Sequence, residues 1–113
     1  MTSDDELDDA VKAVGHRGRR AMLRAARDEE RTASDLAAAA GLSPSAASPH
    51  LKLLRELGLL HMRVDARRRL YRTDMEAVTE VRAALAELWD DRLDALRTTA
   101  EADPVPERRG RSA

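Results

Sequence analysis

Two sets of side chains in this sequence have chemistry to offer. The first is a spaced run of hydroxyls and one imidazole, Ser43, Ser45, Ser48 and His50, with the cation Lys52 just beyond. The second is three consecutive arginines, Arg67, Arg68 and Arg69, flanked by Arg63 and Arg72. Hydroxyl and imidazole groups along one helix can hydrogen-bond to base edges in a groove, and guanidiniums suit phosphate oxygens because their N–H groups form a planar fork. Each set also has a plainer reading. Ser43 can simply cap a helix, His50 can be a packed helix residue, and three arginines can be a solvated surface. Lys52 and Arg55 are ambiguous surface charges.

Other chemistries are easily bounded. With no cysteine there is no disulfide, no zinc-thiolate site and no thiol nucleophile. His16, His50 and His61 fall on different elements, and nothing in their spacing brings them together. Asp74, Glu76, Glu80, Glu87, Asp90, Asp91 and Asp94 crowd the C-terminal third. Carboxylates alone make a poor transition-metal site, so this acidic face is expected to be solvated helix surface. A nickel or zinc site joining one histidine to the N-terminal acids stays open, but no cofactor is expected. No Gly-x-Ser-x-Gly elbow, phosphate loop or paired-carboxylate cleft occurs, so the chain is not expected to be an enzyme.

Charge distribution favours the groove-and-phosphate reading. The total is −1 over 113 residues, which by itself argues against a polyanionic partner. Block by block the picture changes. Residues 16–31 carry +3 and residues 50–73 carry +5, whereas residues 1–15 carry −4 and residues 74–103 carry −6. A basic middle lies between acidic ends. No apolar run approaches the roughly 18 residues of a membrane span, and the first residues are acidic where a signal peptide would be basic. A cytoplasmic chain is expected.

The elements that must position these residues follow from periodicity and caps. One Trp, one Tyr and no Phe leave an aliphatic stock of Leu, Ala, Val and Met that favours helices. Helices are predicted over 5–14, with Leu7, Val11 and Val14 on one stripe, and over 17–28, with Met22, Leu23 and Ala26 inward. One of Arg19 and Arg20 is expected to pair with an acid inside the domain. Thr32 with Asp35 forms a capping box opening a short alanine-rich helix, and Gly41 ends it. Ser43-Pro44 opens the next helix, with Leu51, Leu54 and Leu57 buried and Gly58 as the stop. Two strands, 59–64 and 68–72, flank a turn at Asp65-Ala66-Arg67. A last helix over 75–100, roughly 39 Å long, carries Val78, Val81, Leu85, Leu88 and Leu96 at three- and four-residue steps, with Trp89 alongside. Such a helix overhangs a core of this size, so a second copy is expected to cover it. The expected fold is mainly α with a small β-hairpin, in the order α-α-α-α-β-β-α. One domain is expected over 1–103, with a disordered tail over 104–113.

Two helices joined through Gly41-Leu42-Ser43 and followed at once by a basic hairpin make a helix-turn-helix with a wing. From Val11 to Asp74 the sequence resembles the ArsR family of winged helix-turn-helix repressors. The resemblance is carried by Val11-Lys12-Ala13-Val14-Gly15-His16, by Arg19-Arg20-Ala21-Met22-Leu23 and by Thr32 through Leu42. It continues in Ser43, Ser48-Pro49-His50-Leu51-Lys52-Leu53-Leu54-Arg55-Glu56-Leu57-Gly58-Leu59-Leu60 and in Arg67-Arg68-Arg69-Leu70-Tyr71-Arg72. It implies a homodimer built through the first and last helices, here Leu7, Val11, Val81, Leu85, Leu88, Trp89 and Leu96. It also implies sequence-specific binding to an inverted repeat in promoter DNA, repression of transcription, and release by a signal. The DNA-binding residues are then Ser43, Ser45, Ser48, His50, Lys52, Arg67, Arg68 and Arg69. Relatives that bind zinc through the last helix use histidine with carboxylates, and this last helix has no histidine. The stretch Leu88-Trp89-Asp90-Asp91-Arg92-Leu93-Asp94-Ala95-Leu96 resembles a subgroup without metal-sensing cysteines.

Two departures stand out. Many relatives place Arg or Lys where this chain has Pro49, and a proline there is expected to kink or loosen the first turns. Many place Gly where this chain has Ala66, so a turn longer than two residues is expected. Pro49 also motivates a second reading, a winged-helix module that acts through a partner protein. A nickel- or zinc-responsive regulator is the third.

Overall fold

The computed structural model describes residues 3–87. Leu88, Trp89 and Leu96, expected at a dimer interface, and the tail expected over 104–113 lie outside the described residues. The fold below is that of the compact unit ending at Arg82; the unit starting at Ala83 is described for residues 83–87 alone, which are helical.

Helix α1 spans Asp4–Val14 and starts at a capping box, in which Ser3 accepts from the Glu6 N–H and Glu6 accepts from the Ser3 N–H. Three acids in its first turn suit the positive end of the helix dipole. Its inward face is small, Ala10 and Ala13, while Leu7, Val11 and Val14 are only half-buried. Helix α2 (Arg17–Ala25) follows, capped by the His16 ring nitrogen. It ends three residues short of the expected limit, and Met22, Leu23 and Ala26 are buried as expected.

Helix α3 (Ala33–Ala39) begins at the expected Thr32–Asp35 capping box. Helix α4 (Pro44–Glu56) begins at Ser43. Pro49 does not break it. The helix runs on through it as one continuous element, with Pro49 on the exposed side. Leu51 and Leu54 face the core with Ala47 between the turns, and Leu57 is half-buried.

The sheet has three strands among the described residues, not two. Strand β1 (Arg31–Thr32) pairs antiparallel with β3 (Arg68–Thr73), which also pairs with β2 (Leu60–Asp65), so β3 is central. A two-residue strand has no alternation to read, which is why periodicity missed it. The β2–β3 register sets Asp65 opposite Arg68, leaving a loop of Ala66 and Arg67. That loop is tight where a longer one was expected, because Ala66 itself adopts φ +58°, a conformation glycine takes at less cost.

Met22, Leu36, Leu54, Leu59 and Leu60 are the largest fully buried side chains. Each contributes roughly 1.5–3 kcal/mol by leaving water. Buried Thr73 locks the sheet to α2: its N–H donates to the Ala26 carbonyl and its hydroxyl to the Leu23 carbonyl at 2.7 Å. Beyond it Asp74 caps a last helix over 75–87, accepting from the Ala77 N–H at 3.0 Å. Val81 of this helix is 4% exposed and belongs to the core of its own chain.

Candidate nucleic-acid interface

The turn between α3 and α4 is built on Gly41, whose φ of +69° a side chain would strain. The Leu42 N–H returns to the Ala37 carbonyl, closing the end of α3. Ser43 then caps α4 by accepting from the Ala46 N–H, and its hydroxyl lies 3.3 Å from that of Ser45. Ser43 is therefore already engaged in the cap. Ser45, Ser48 and Lys52 are exposed, on turns of α4 that lead away from the core line of Ala47, Leu51 and Leu54.

His50 is different. It is half-buried, its Nδ1 accepts from Arg19 Nε at 3.2 Å, and its ring lies 4.6 Å from that of His16. The expectation that the histidines stay apart is overturned for this pair: packing of α4 on α2 brings together residues far apart in sequence, while His61 lies elsewhere. Burial first, then the neighbouring His16 and Arg19, hold the His50 pKa below its usual value. With Nδ1 accepting from Arg19, the hydrogen of the neutral ring sits on Nε2. His16 accepts the Arg19 N–H, and its ring lies so close to Gly18 that a Cβ there would stand 3.1 Å from Cε1.

Neither Arg19 nor Arg20 pairs with an acid in the described structure. Arg19 reaches the Ala13 carbonyl and Arg20 the Val14 carbonyl at 2.8 Å, so both satisfy the C-terminal end of α1, where cations are favoured. The wing sorts its arginines in a way the sequence did not disclose. Arg63 is locked to Glu30 through two bonds of 2.6 and 2.7 Å, which ties β2 to the segment before β1. The same contact lowers the Glu30 pKa and raises that of Arg63. Arg68 is 3.9 Å from Asp65 across the tip. Arg67 and Arg69 are exposed and have no carboxylate partner among the described residues. Arg72, farther down β3, is exposed too but lies within electrostatic reach of Glu30, so Arg67 and Arg69 are the cations at the wing tip left for phosphate.

His61 Nε2 donates to the Asp74 carboxylate at 2.7 Å. The Ala77 N–H, and after it His61, hold the Asp74 carboxyl below its ordinary pKa. Among the described residues no group of three or more His, Asp or Glu side chains is gathered as a metal ion would need.

Residues 16–61 match the family described as bacterial regulatory protein, arsR family. A crystal structure of a possible transcriptional regulator for arsenical resistance is 36% identical, covers 81% of this chain and 96% of its own, and superposes with a TM-score of 0.69. The chain belongs to the ArsR family. Nodulation protein NolR of Rhizobium meliloti is 38% identical over 68 residues, a match that spans 60% of this chain and 56% of NolR. A homodimeric winged helix-turn-helix DNA-binding domain from Mycobacterium bovis, described as a possible ArsR-family transcriptional regulator, is 27% identical. It covers 83% of this chain and 93% of its own, with a TM-score of 0.62. The fold is thus the winged helix-turn-helix of ArsR-family transcriptional regulators, with α3 and α4 as the helix pair and β2–β3 as the wing.

Proposed function

We propose that this ArsR-family chain is a sequence-specific DNA-binding repressor acting as a homodimer on an inverted repeat. The observation that carries the reading is the pairing of an exposed, hydroxyl-bearing start of α4 with a wing tip whose Arg67 and Arg69 have no acidic partner among the described residues. In this reading α4 enters the major groove, where Ser45, Ser48 and Lys52 meet base edges and phosphate. Ser43 caps, and His50 donates from Nε2. Arg67 and Arg69 lie along the backbone, with Arg68 between them near Asp65, and phosphate contacts of that kind give affinity that falls with salt.

Apolar side chains on α1 support the dimer. Leu7, Val11 and Val14 keep a half-exposed stripe while alanines fill the inner face. A second copy would cover that stripe, whereas Val81 serves its own core. The Mycobacterium bovis relative is described as homodimeric. Two copies related by a dyad would set their recognition helices about 34–36 Å apart, one helical turn of DNA. Over a promoter, such a dimer excludes polymerase.

The reading needs no resident cofactor, and it places the protein in the cytoplasm with the DNA. No helix among the described residues is long and apolar enough to cross a membrane. Footprinting on the chain's own promoter tests it. Two protected half-sites with centres about 10 base pairs apart, or a multiple of that, are expected. A single unpaired half-site, or no protection, would overturn it.

A further inference from the structure

The outer face of α4 lacks the side chains that read guanine or adenine bidentately. Residues 44–52 are Pro-Ser-Ala-Ala-Ser-Pro-His-Leu-Lys, with no Arg, Asn or Gln and one terminal Lys. Arg or Lys on guanine and Asn or Gln on adenine are the usual pairings, while serine hydroxyls serve any base. His50 has its Nδ1 taken by Arg19 and its ring beside that of His16, which leaves only the single Nε2 donor. Between the exposed Ser45, Ser48 and Lys52, what remains on the exposed side is an apolar pair. Ala46 and Pro49 are both exposed and stand three residues apart, so they are neighbours on one helix face, with Ser45 four residues before Pro49. Pro49 keeps this position although it removes one hydrogen bond from a helix that nonetheless runs unbroken from Pro44 to Glu56.

We infer that the Pro49 ring, with the Ala46 methyl beside it, is a thymine-reading surface that packs on a thymine C5-methyl in each operator half-site. This rests on the DNA-binding reading above and names the base class that the same face selects. The C5-methyl is the one apolar group on the major-groove edges of the bases, so a patch without hydrogen-bonding groups can distinguish thymine from the rest. A cation at position 49 would lie over the same edge and favour guanine or phosphate. The proline instead trades charge for an apolar contact, leaving Lys52 and the wing to supply attraction to the backbone.

The test uses the full chain and a labelled promoter duplex in which each thymine is replaced in turn by deoxyuridine, which lacks only the C5-methyl. Affinity is read by fluorescence anisotropy. For wild type, one thymine per half-site is expected to be sensitive, with binding about fourfold weaker on losing the methyl, the value of one buried carbon. In Pro49→Ser, thymine and deoxyuridine at that position are expected to bind equally. Lys52→Gln should retain the fourfold penalty while binding more weakly throughout. Pro49→Ser regains a backbone donor, and its thermal melt checks that it folds. A flat deoxyuridine scan with intact promoter preference would overturn the thymine assignment and leave the DNA-binding reading standing. A penalty that persists in Pro49→Ser would overturn the role of Pro49. Loss of any promoter preference in wild type would overturn both.

Discussion

The arginines of the wing divide into those already committed and those free for phosphate, and salt dependence can count the free ones. Arg63 is engaged with Glu30 through two short bonds, and Arg68 lies near Asp65. Arg67 and Arg69 are exposed and have no acidic partner among the described residues. Each phosphate neutralised by a protein cation adds about 0.9 to the slope of log affinity against log salt. In a dimer the double variant Arg67→Gln/Arg69→Gln removes two cations from each protomer, so its slope should be shallower by about 3.6. Between 50 and 200 mM salt, wild-type affinity should therefore fall roughly 150-fold further than that of the variant. Arg63→Gln is the control, because its loss strands Glu30 and loosens β2 without freeing or removing a phosphate contact. Its slope should match wild type while its melting temperature drops. Anisotropy titrations on the promoter duplex at four salt concentrations measure both. An unchanged slope in the double variant, or an equal reduction in Arg63→Gln, would refute this division.

Three further outcomes follow from the packing and the titrating groups. Thr73→Val keeps the shape of a buried residue but deletes the donor to the Leu23 carbonyl. It should cost about 1–2 kcal/mol, or roughly 4–8 °C of melting temperature per kcal/mol in a domain of this size. Ala66→Gly relieves a left-handed φ worth about 1–2 kcal/mol against about 0.5–1 kcal/mol of added unfolded-chain freedom. Urea titration should find it equally or more stable, by up to about 1.5 kcal/mol, and a clear loss would show that Ala66 is unstrained. His50 has a folded-state pKa below its unfolded value of about 6.5, so the unfolded chain takes up its proton first. Its share of stability is complete above pH 6.5 and is lost as pH falls from there toward the folded value. His50→Gln should flatten that part of the stability–pH curve measured by urea unfolding at a series of pH values.

Much of this fold is legible in local chemistry. Thr32 with Asp35, Gly41 and Ser43 mark the helix pair because caps and left-handed turns demand those residue types at those places. The basic hairpin is visible because its arginines flank alternating strand residues. The Ser3–Glu6 box at the start of α1 follows the same rule, yet the expected helix began at residue 5. What local reading misses is non-local or a choice between local rules. Arg63 meets Glu30 and His50 meets Arg19 across more than thirty residues, so neither pairing leaves a trace in spacing. Strand β1 exists because Arg31 and Thr32 meet Tyr71 and Leu70, a partner brought by the hairpin and not by their own pattern. Ala66 and Pro49 each break a propensity rule that the surrounding structure overrides, the first by the register of β2 on β3 and the second by lying on the exposed side of α4. For the interface, residue types alone nominated every candidate, but only the structure separated Ser43, spent on the cap, and His50, bonded to Arg19, from Ser48, Arg67 and Arg69.

The central claim is tested most directly by titrating the purified chain onto a duplex from its own promoter and onto a scrambled duplex of the same composition, at two salt concentrations, with the stoichiometry read from the saturation point. The account predicts two protomers per promoter duplex, a clear preference for the promoter, and affinity that falls steeply with salt. Equal weak binding to both duplexes, or saturation at one protomer per site, would contradict it.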